Sequence, residues 1–385
     1  MTKLGKPEED ELNYCIVIGP VKSGTTLLIS LLDSHPELML FPMEVKFFTH
    51  WFEYLRHAQG SYRDLNSFFL SKSKVRLMDR DGGRHADIMN SGRIDFSNFN
   101  FDQFSEKMKV IENSNSVEAL KVDALFRRYL YDIHSQMMLT LGRHETKTLV
   151  AKEGNHGARH LDEIRQLFPN LKTIIVVRDP RDIYVSLKTI ARKVRGGITA
   201  PSFKDQITPC QFIYDNKGKN VSSFEKLFHW MNDKDYFHFV KYEELVSSSL
   251  DEMKRIAEFL DIKFSEQLTN PSNLGNKWRG NASSAEDLEV VTKKRTGKWQ
   301  NELSDAEIRI LEYFLEDYLR VGGHELSGRS LRKLRIAADI AATQLKAIPL
   351  KWEAPIRSIY RMCKNIVLLV SSIYCCFFCR DRLGL

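Results

Sequence analysis

Five short apolar runs punctuate the chain, at residues 14–18, 38–41, 148–151, 172–177 and 236–240. Each is too short for a buried helix and is bounded by polar or turn-forming residues, so each reads as a buried strand. Between them lie segments with apolar residues at helical spacing, among them 26–33, 160–168 and 249–260. The stretch LDEIRQLFPNLKTIIVVRDP condenses the alternation: an amphipathic helix, a Pro-Asn turn, then a continuous β-branched run. Strands alternating with helices predict a three-layer α/β fold with a central parallel sheet covered on both faces. Residues 195–222 carry Gly, Pro and Lys with weak periodicity and read as a loop or lid.

The pattern changes beyond Arg329. Leu331, Leu334, Ala338, Ala341 and Leu345 mark an apolar helical stripe that Pro349 ends. Further on, NIVLLVSSIYCCFFC places 15 uncharged residues between Lys364 and Arg380. As a helix these span about 22 Å, short of the roughly 30 Å hydrocarbon core of a bilayer. The expected organisation is an N-terminal arm at 1–13, an α/β body at 14–326 and a helical C-terminal extension at 327–385.

Charge sharpens that division. The chain of 385 residues has a net charge of +7, yet residues 329–385 alone hold 11 Lys and Arg against 3 Asp and Glu. The remaining 46 basic and 47 acidic residues leave the body almost neutral, so the basic balance does not point to nucleic acid. A basic, apolar tail with Cys375, Cys376 and Cys379 suits an anionic membrane surface, with or without S-acylation. It equally suits a helix packed on the domain or on a partner subunit. The opening residues MTKLGKPEEDELNY show no apolar signal segment, and the six cysteines form no disulfide framework. A cytoplasmic, reducing location is therefore expected, peripheral to a membrane if the tail meets one. Only Cys376 and Cys379 have CxxC spacing and no second pair follows, so no zinc site is expected.

Three segments carry candidate chemistry. In GPVKSGTTLL, Gly19 and Gly24 keep the glycine spacing of a phosphate-binding loop, but Thr25 stands where a Walker lysine belongs. A strand ending at Ile18 and a helix opening near Thr25 would aim backbone N–H groups and a positive helix end at one point. Lys22, Ser23, Thr25 and Thr26 surround that point with one cation and three hydroxyls. In RDPRDIYVS, Arg178 follows the strongest strand and Ser186 comes eight residues later, about two helical turns on. In KKRTGKWQNELS, Arg295, Thr296, Gly297 and Trp299 lie in a basic loop before a helix from Ser304. Singly, each has an ordinary structural reading: a helix cap, a surface Arg-Asp pair, a solvated charge run.

Together, in this order and spacing, they resemble the sulfotransferases that use 3′-phosphoadenosine 5′-phosphosulfate (PAPS). In that family K/R-S-G-T-T binds the 5′-phosphosulfate, matched here by Lys22, Ser23, Gly24, Thr25 and Thr26. An Arg with a Ser eight residues on binds the 3′-phosphate, matched by Arg178 and Ser186. A late R-x-G-x-W segment closes over the nucleotide, matched by Arg295 to Trp299, and YEEL from Tyr242 resembles the family's Y-E-x-L segment. The resemblance implies PAPS as sulfuryl donor, 3′,5′-ADP as product, no metal, and Lys22 at the bridging oxygen. That position is where negative charge develops as the nucleotide leaves.

The acceptor side is less defined. Glu44 lies just past the second strand, and Met43, Val45, Phe47 and Phe48 around it would desolvate it. Heparan and tyrosyl-protein sulfotransferases and many bacterial relatives use a glutamate in the corresponding segment as base, and EVKFFTHW resembles the heparan 3-O version. Cytosolic small-molecule sulfotransferases use a later histidine, which leaves His50, His134 and His156 as rivals. AKEGNH stands where many relatives have K-T-P-x-N, so Lys152 is placed by the resemblance near acceptor or sulfuryl group, while Glu153 and Gly154 depart from the pattern. Loops around 50–130 and 195–230, with Trp51, Phe68, Phe69, Arg127, Arg128, Arg195 and Trp230, are the expected acceptor surface. That surface would take a carbohydrate, a peptide tyrosine, a lipid or a small molecule, at a hydroxyl or amine. Two other classes stay open: a P-loop kinase, and a non-catalytic membrane-recruited binding protein.

Overall fold

The computed structural model describes residues 8–57, 67–69, 71, 99–112, 119–195, 208–214, 226–277, 291–347, 366–367, 369–374 and 376. The five expected strands form as β1 (Asn13–Ile18), β2 (Leu38–Glu44), β3 (Thr148–Glu153), β4 (Lys172–Val177) and β5 (Phe237–Lys241). They build one parallel sheet in the order β2-β3-β1-β4-β5. Alternation along the strands divides the core in two. Val17, Val150, Ile174 and Val176 face one side, while Ile16, Ala151, Ile175 and Val177 face the other. Both faces are apolar because both are covered, as a parallel sheet requires.

The first face is closed by α1 (Thr25–Leu32) and by two later helices named below. On the other face lie α2 (Phe47–His57), α3 (Phe101–Glu112), α4 (Ala119–Leu141), α5 (Gly154–Arg159), α6 (Leu161–Leu167), α7 (Pro180–Arg195) and the short α8 (Pro209–Ile213). Then follow α9 (Tyr242–Ser247) and α10 (Ser249–Leu260), which return to the face of α1. The chain continues through α11 (Trp299–Glu302), α12 (Asp305–Phe314), α13 (Glu316–Val321) and α14 (Lys333–Ala347). The start of α12 is written in sequence. Ser304 Oγ accepts the Glu307 N–H and the Glu307 carboxylate accepts the Ser304 N–H, a reciprocal capping box.

The expected acceptor loops are corrected where they are described, while 58–66, 72–98, 113–118, 196–207 and 215–225 lie outside the described residues. Residues 47–57, 101–112 and 119–141 are helical, and Trp51, Phe69 and Phe126 lie inside the core. Phe47 meets Phe48, Phe69, Phe126 and Tyr129 in one aromatic cluster with ring centroids 5.1–5.5 Å apart. Arg127 and Arg128 are tied to Asp123 and Glu9, and Trp230 donates to Asp162 at 3.0 Å. Arg195 ends α7. Within the expected lid at 195–222, residues 209–213 form the buried helix α8, and most of the rest lies outside the described residues.

The tail stripe is also corrected. Among the described side chains of α14 the buried positions are Ile336, Asp339, Ile340 and Gln344, whereas Leu334 is 78% exposed and Leu345 lies outside them. A buried carboxylate sets this phase: Asp339 takes Arg309 of α12 in a two-point ion pair, at 2.7 and 3.1 Å. The helical residues between 366 and 376 lie on the same surface, where Tyr313 Oη donates to the Cys376 carbonyl at 2.9 Å. Cys376 is fully buried, which removes it as an acylation site. Cys375 and Cys379 lie outside the described residues.

Candidate active site

In an open parallel sheet, ligands collect beyond the carboxyl ends of strands where the chain's winding reverses. Here β1 leads outward to β2, and β3 crosses over β1 to β4. The crevice therefore lies over β1, β3 and β4, and the three sequence segments meet there.

The loop after β1 turns through Lys22 at φ +67° and Gly24 at φ +111° into the first turn of α1. Gly24 is obligatory twice over. Its φ is strained for any other residue, and a Cβ would stand 2.5 Å from the Tyr242 ring. Ser23 is fully buried, and its Oγ meets no hydrogen-bonding partner among the described residues.

Glu44 is the last residue of β2, not a residue beyond it, and it sits in register with Lys152 on β3. Lys152 follows Val150 onto the face of α1, so its Nζ donates to Thr26 Oγ1 at 2.8 Å and lies 3.7 Å from Glu44 Oε1. The Glu44 side chain is 37% exposed. Phe47 and Phe48 belong to the buried aromatic cluster, and the group paired with the carboxylate is the Lys152 ammonium. The two departures from the family pattern have structural reasons. Glu153, on the opposite face, accepts the Phe47 N–H at the start of α2 at 2.7 Å. Gly154 turns at φ +60°, and a Cβ there would come within 2.9 Å of Glu44 Oε1.

Arg178 is buried at the end of β4 on the face of α1. Its Nη1 donates to the Lys22 carbonyl at 2.9 Å and its Nη2 to the Arg295 carbonyl at 2.5 Å. The guanidinium lies 4.3 Å from the Tyr242 ring centroid. Its Nε has no hydrogen-bonding partner among the described residues. Arg178 thus ties the first loop to the late one. Ser186 lies on α7, two turns along, and its Oγ donates to the Asp182 carbonyl at 3.0 Å.

The late loop is held by a residue that sequence reading passed over. Asp182 accepts the Gly297 N–H at 2.7 Å and the Trp299 N–H at 3.0 Å. Burial pushes its carboxyl up to about 6, against the opposing pull of Arg178. Trp299 stacks on Arg181, with the guanidinium 3.7 Å from the ring centroid. Arg181 is itself buried between Asp179 and Glu312. Thr296 turns inward locally, its Oγ1 donating to the Lys293 carbonyl at 2.8 Å. The repeated Arg-Asp dipeptide in RDPRD was the available signal: Arg178 serves the crevice, while Asp179, Arg181 and Asp182 serve the clamp.

The rival bases separate. His134 is buried in α4, bonded to the Leu130 carbonyl at 2.7 Å, and burial pushes its imidazole down to about 4. His50 is buried edge-on to Phe68 and Phe69. His156 lies on α5, and its side chain is outside the described residues.

The parallel sheet thus brings a glycine-turned loop and a buried arginine together beyond β1 and β4. The chain belongs to the sulfotransferase family, whose model matches residues 15–266. It is 32% identical over 114 residues to a Caenorhabditis elegans protein named "Putative protein-tyrosine sulfotransferase", a match covering 30% of this chain and 40% of that protein. Among solved structures it is similar to the sulfotransferase domain of the Synechococcus PCC 7002 olefin synthase, with 18% identity and a TM-score of 0.45. That match covers 83% of this chain and 98% of the domain. It is also similar to sulfotransferase STF9 from Mycobacterium avium, at 16% identity and a TM-score of 0.41, over 83% of this chain and 79% of that one.

Proposed function

We propose that this chain transfers a sulfuryl group from PAPS to an acceptor hydroxyl or amine and releases 3′,5′-ADP. The observation that carries the reading is the Lys152 ammonium, 2.8 Å from the Thr26 hydroxyl and 3.7 Å from Glu44. It couples the proposed base to the loop that would hold the phosphosulfate. Two buried donors without partners among the described residues, Ser23 Oγ and Arg178 Nε, fit a ligand rich in anionic oxygens.

In this reading Glu44 takes the acceptor proton, and its partial exposure keeps it reachable from outside. Lys22, with the backbone of Ser23, Gly24, Thr25 and Thr26, steadies the charge that develops on the departing phosphate. Lys152 holds Glu44 and Thr26 at a fixed separation. Arg178, Ser186 and Arg295 hold the 3′-phosphate, with Thr296 and Gly297 shaping the covering loop. PAPS itself supplies the activated sulfuryl group, so this chain's residues bind, orient and move one proton.

The test is sulfuryl transfer by the purified chain from labelled PAPS to a panel of tyrosine peptides, sulfatable glycan oligomers and phenols. Tyrosine peptides come first because of the relative's name. Thermal stability with 3′,5′-ADP, 5′-AMP, and ATP with and without Mg²⁺ runs in parallel. Selective stabilisation by 3′,5′-ADP without metal, with transfer lost in Lys22→Ala, is the expected result. Stabilisation by Mg-ATP alone, or near-wild-type transfer by Lys22→Ala, overturns the reading.

A further inference from the structure

The described residues between 366 and 376 present two apolar faces, one packed on the body and one exposed. Leu369, Ile373 and Cys376 point inward, where Cys376 is fully buried against α12 and α14. Ile366, Val367, Val370 and Tyr374 repeat at helical spacing on the outside, with Val367 65% and Val370 62% exposed. Half of the large exposed apolar side chains among the described residues lie on this short stretch. Its inner end meets the start of α14, where Cys376 Sγ lies 3.6 Å from the Lys333 carbonyl. There Leu334 stands fully outward, flanked by exposed Arg332, Lys333 and Arg335.

An apolar strip beside exposed cations is suited to a surface that is apolar below and anionic above. We infer that this face, built by Val367, Val370, Tyr374 and Leu334 with Arg332 and Lys333 beside it, docks the protein onto an anionic lipid surface. Charge selects this occupant over a second copy of the chain. Arg332 and Lys333 are exposed at the start of α14, so pairing two such faces brings like charges together. An anionic leaflet instead attracts them, and the attraction reaches about a Debye length. Among the described residues no helix is long and apolar enough to cross a bilayer, so the contact lies in the plane of the interface. The docking stands apart from the sulfuryl-transfer reading and needs no nucleotide.

Sedimentation of the full chain with phosphatidylcholine vesicles, with and without about one third phosphatidylserine, tests it. Binding to the anionic vesicles is expected, weakened at high salt and on neutral vesicles. Val367→Asp combined with Val370→Asp should reduce binding by roughly tenfold or more, since it places charge on the apolar face. Both positions are exposed, so an unchanged melting temperature checks the fold. Arg332→Glu with Lys333→Glu should lower anionic binding while leaving neutral binding unchanged. No binding to anionic vesicles overturns the inference, as does equal binding by the apolar-face variant. A dimer seen by light scattering that Val370→Asp dissolves, without vesicle binding, would assign the face to a second copy. Capture only by an acidic protein, with no vesicle binding, would assign it to that partner class.

Discussion

The guanidinium of Arg178 donates to the backbone carbonyls of Lys22 and Arg295, at 2.9 and 2.5 Å, so one side chain holds both walls of the crevice. A lysine keeps the charge but loses the planar fork. Arg178→Lys should therefore weaken 3′,5′-ADP binding at least tenfold, given roughly 1.5–3 kcal/mol per hydrogen bond to a charged group. Titration calorimetry checks this, and unchanged affinity would remove Arg178 from the nucleotide site.

Glu44 and Lys152 are register partners on adjacent strands, and their roles should separate kinetically. Glu44→Gln keeps the shape and removes the proposed base. Turnover should fall by about 10²–10⁴-fold, the range of a general base, while 3′,5′-ADP affinity holds. Equal losses in turnover and nucleotide affinity would make Glu44 a structural residue of the loop instead.

Gly24 tests the loop's geometry. Gly24→Ala meets both a left-handed φ and the Tyr242 ring, and should destabilise the protein by about 1–3 kcal/mol. Trimming the ring with Tyr242→Ala relieves the clash but not the φ. The double variant should thus lose less than the sum of the single changes. Chemical denaturation of the four proteins measures the difference.

Asp182 gives a pH signature. Its carboxyl is raised to about 6 in the folded protein, so between there and its usual range near 4 the native state binds a proton that the unfolded chain does not. Its ionisation costs stability above pH 6, and that cost is relieved as pH falls from about 6 to about 4. Relative to Asp182→Asn, wild-type stability should rise by about 2–3 kcal/mol over that window, read as melting temperature against pH. Parallel curves would place the carboxyl in its ordinary range.

Much of this architecture is legible in sequence because burial on both faces writes itself as continuous apolar runs. All five strands appear that way, Gly19 and Arg178 mark the strand ends where the crevice opens, and Gly24 marks the helix start that faces it. What escapes is polar structure inside the protein. Asp339 occupies a buried position on α14, so an apolar stripe misjudges that helix's orientation. The helix from Ala119 to Leu141 mixes Arg127, Arg128 and Asp132 with an aromatic inward side, and its first half, to about residue 130, reads as loop. Asp182 escapes differently: its partners, Gly297 and Trp299, lie 115 and 117 residues away, and no local pattern announces backbone N–H groups so distant.

The Arg178 bridge has a consequence for how the molecule is made. It spans 156 residues to Lys22 and 117 to Arg295, so neither wall can be completed until β4 has joined β1 and the late loop has arrived. Closing such long separations is the slow part of folding. A chain interrupted before residue 295 would have all five strands of the sheet but no finished crevice. Occupancy of the crevice therefore reports on the whole body at once, and a ligand there protects it against global unfolding more than against local opening.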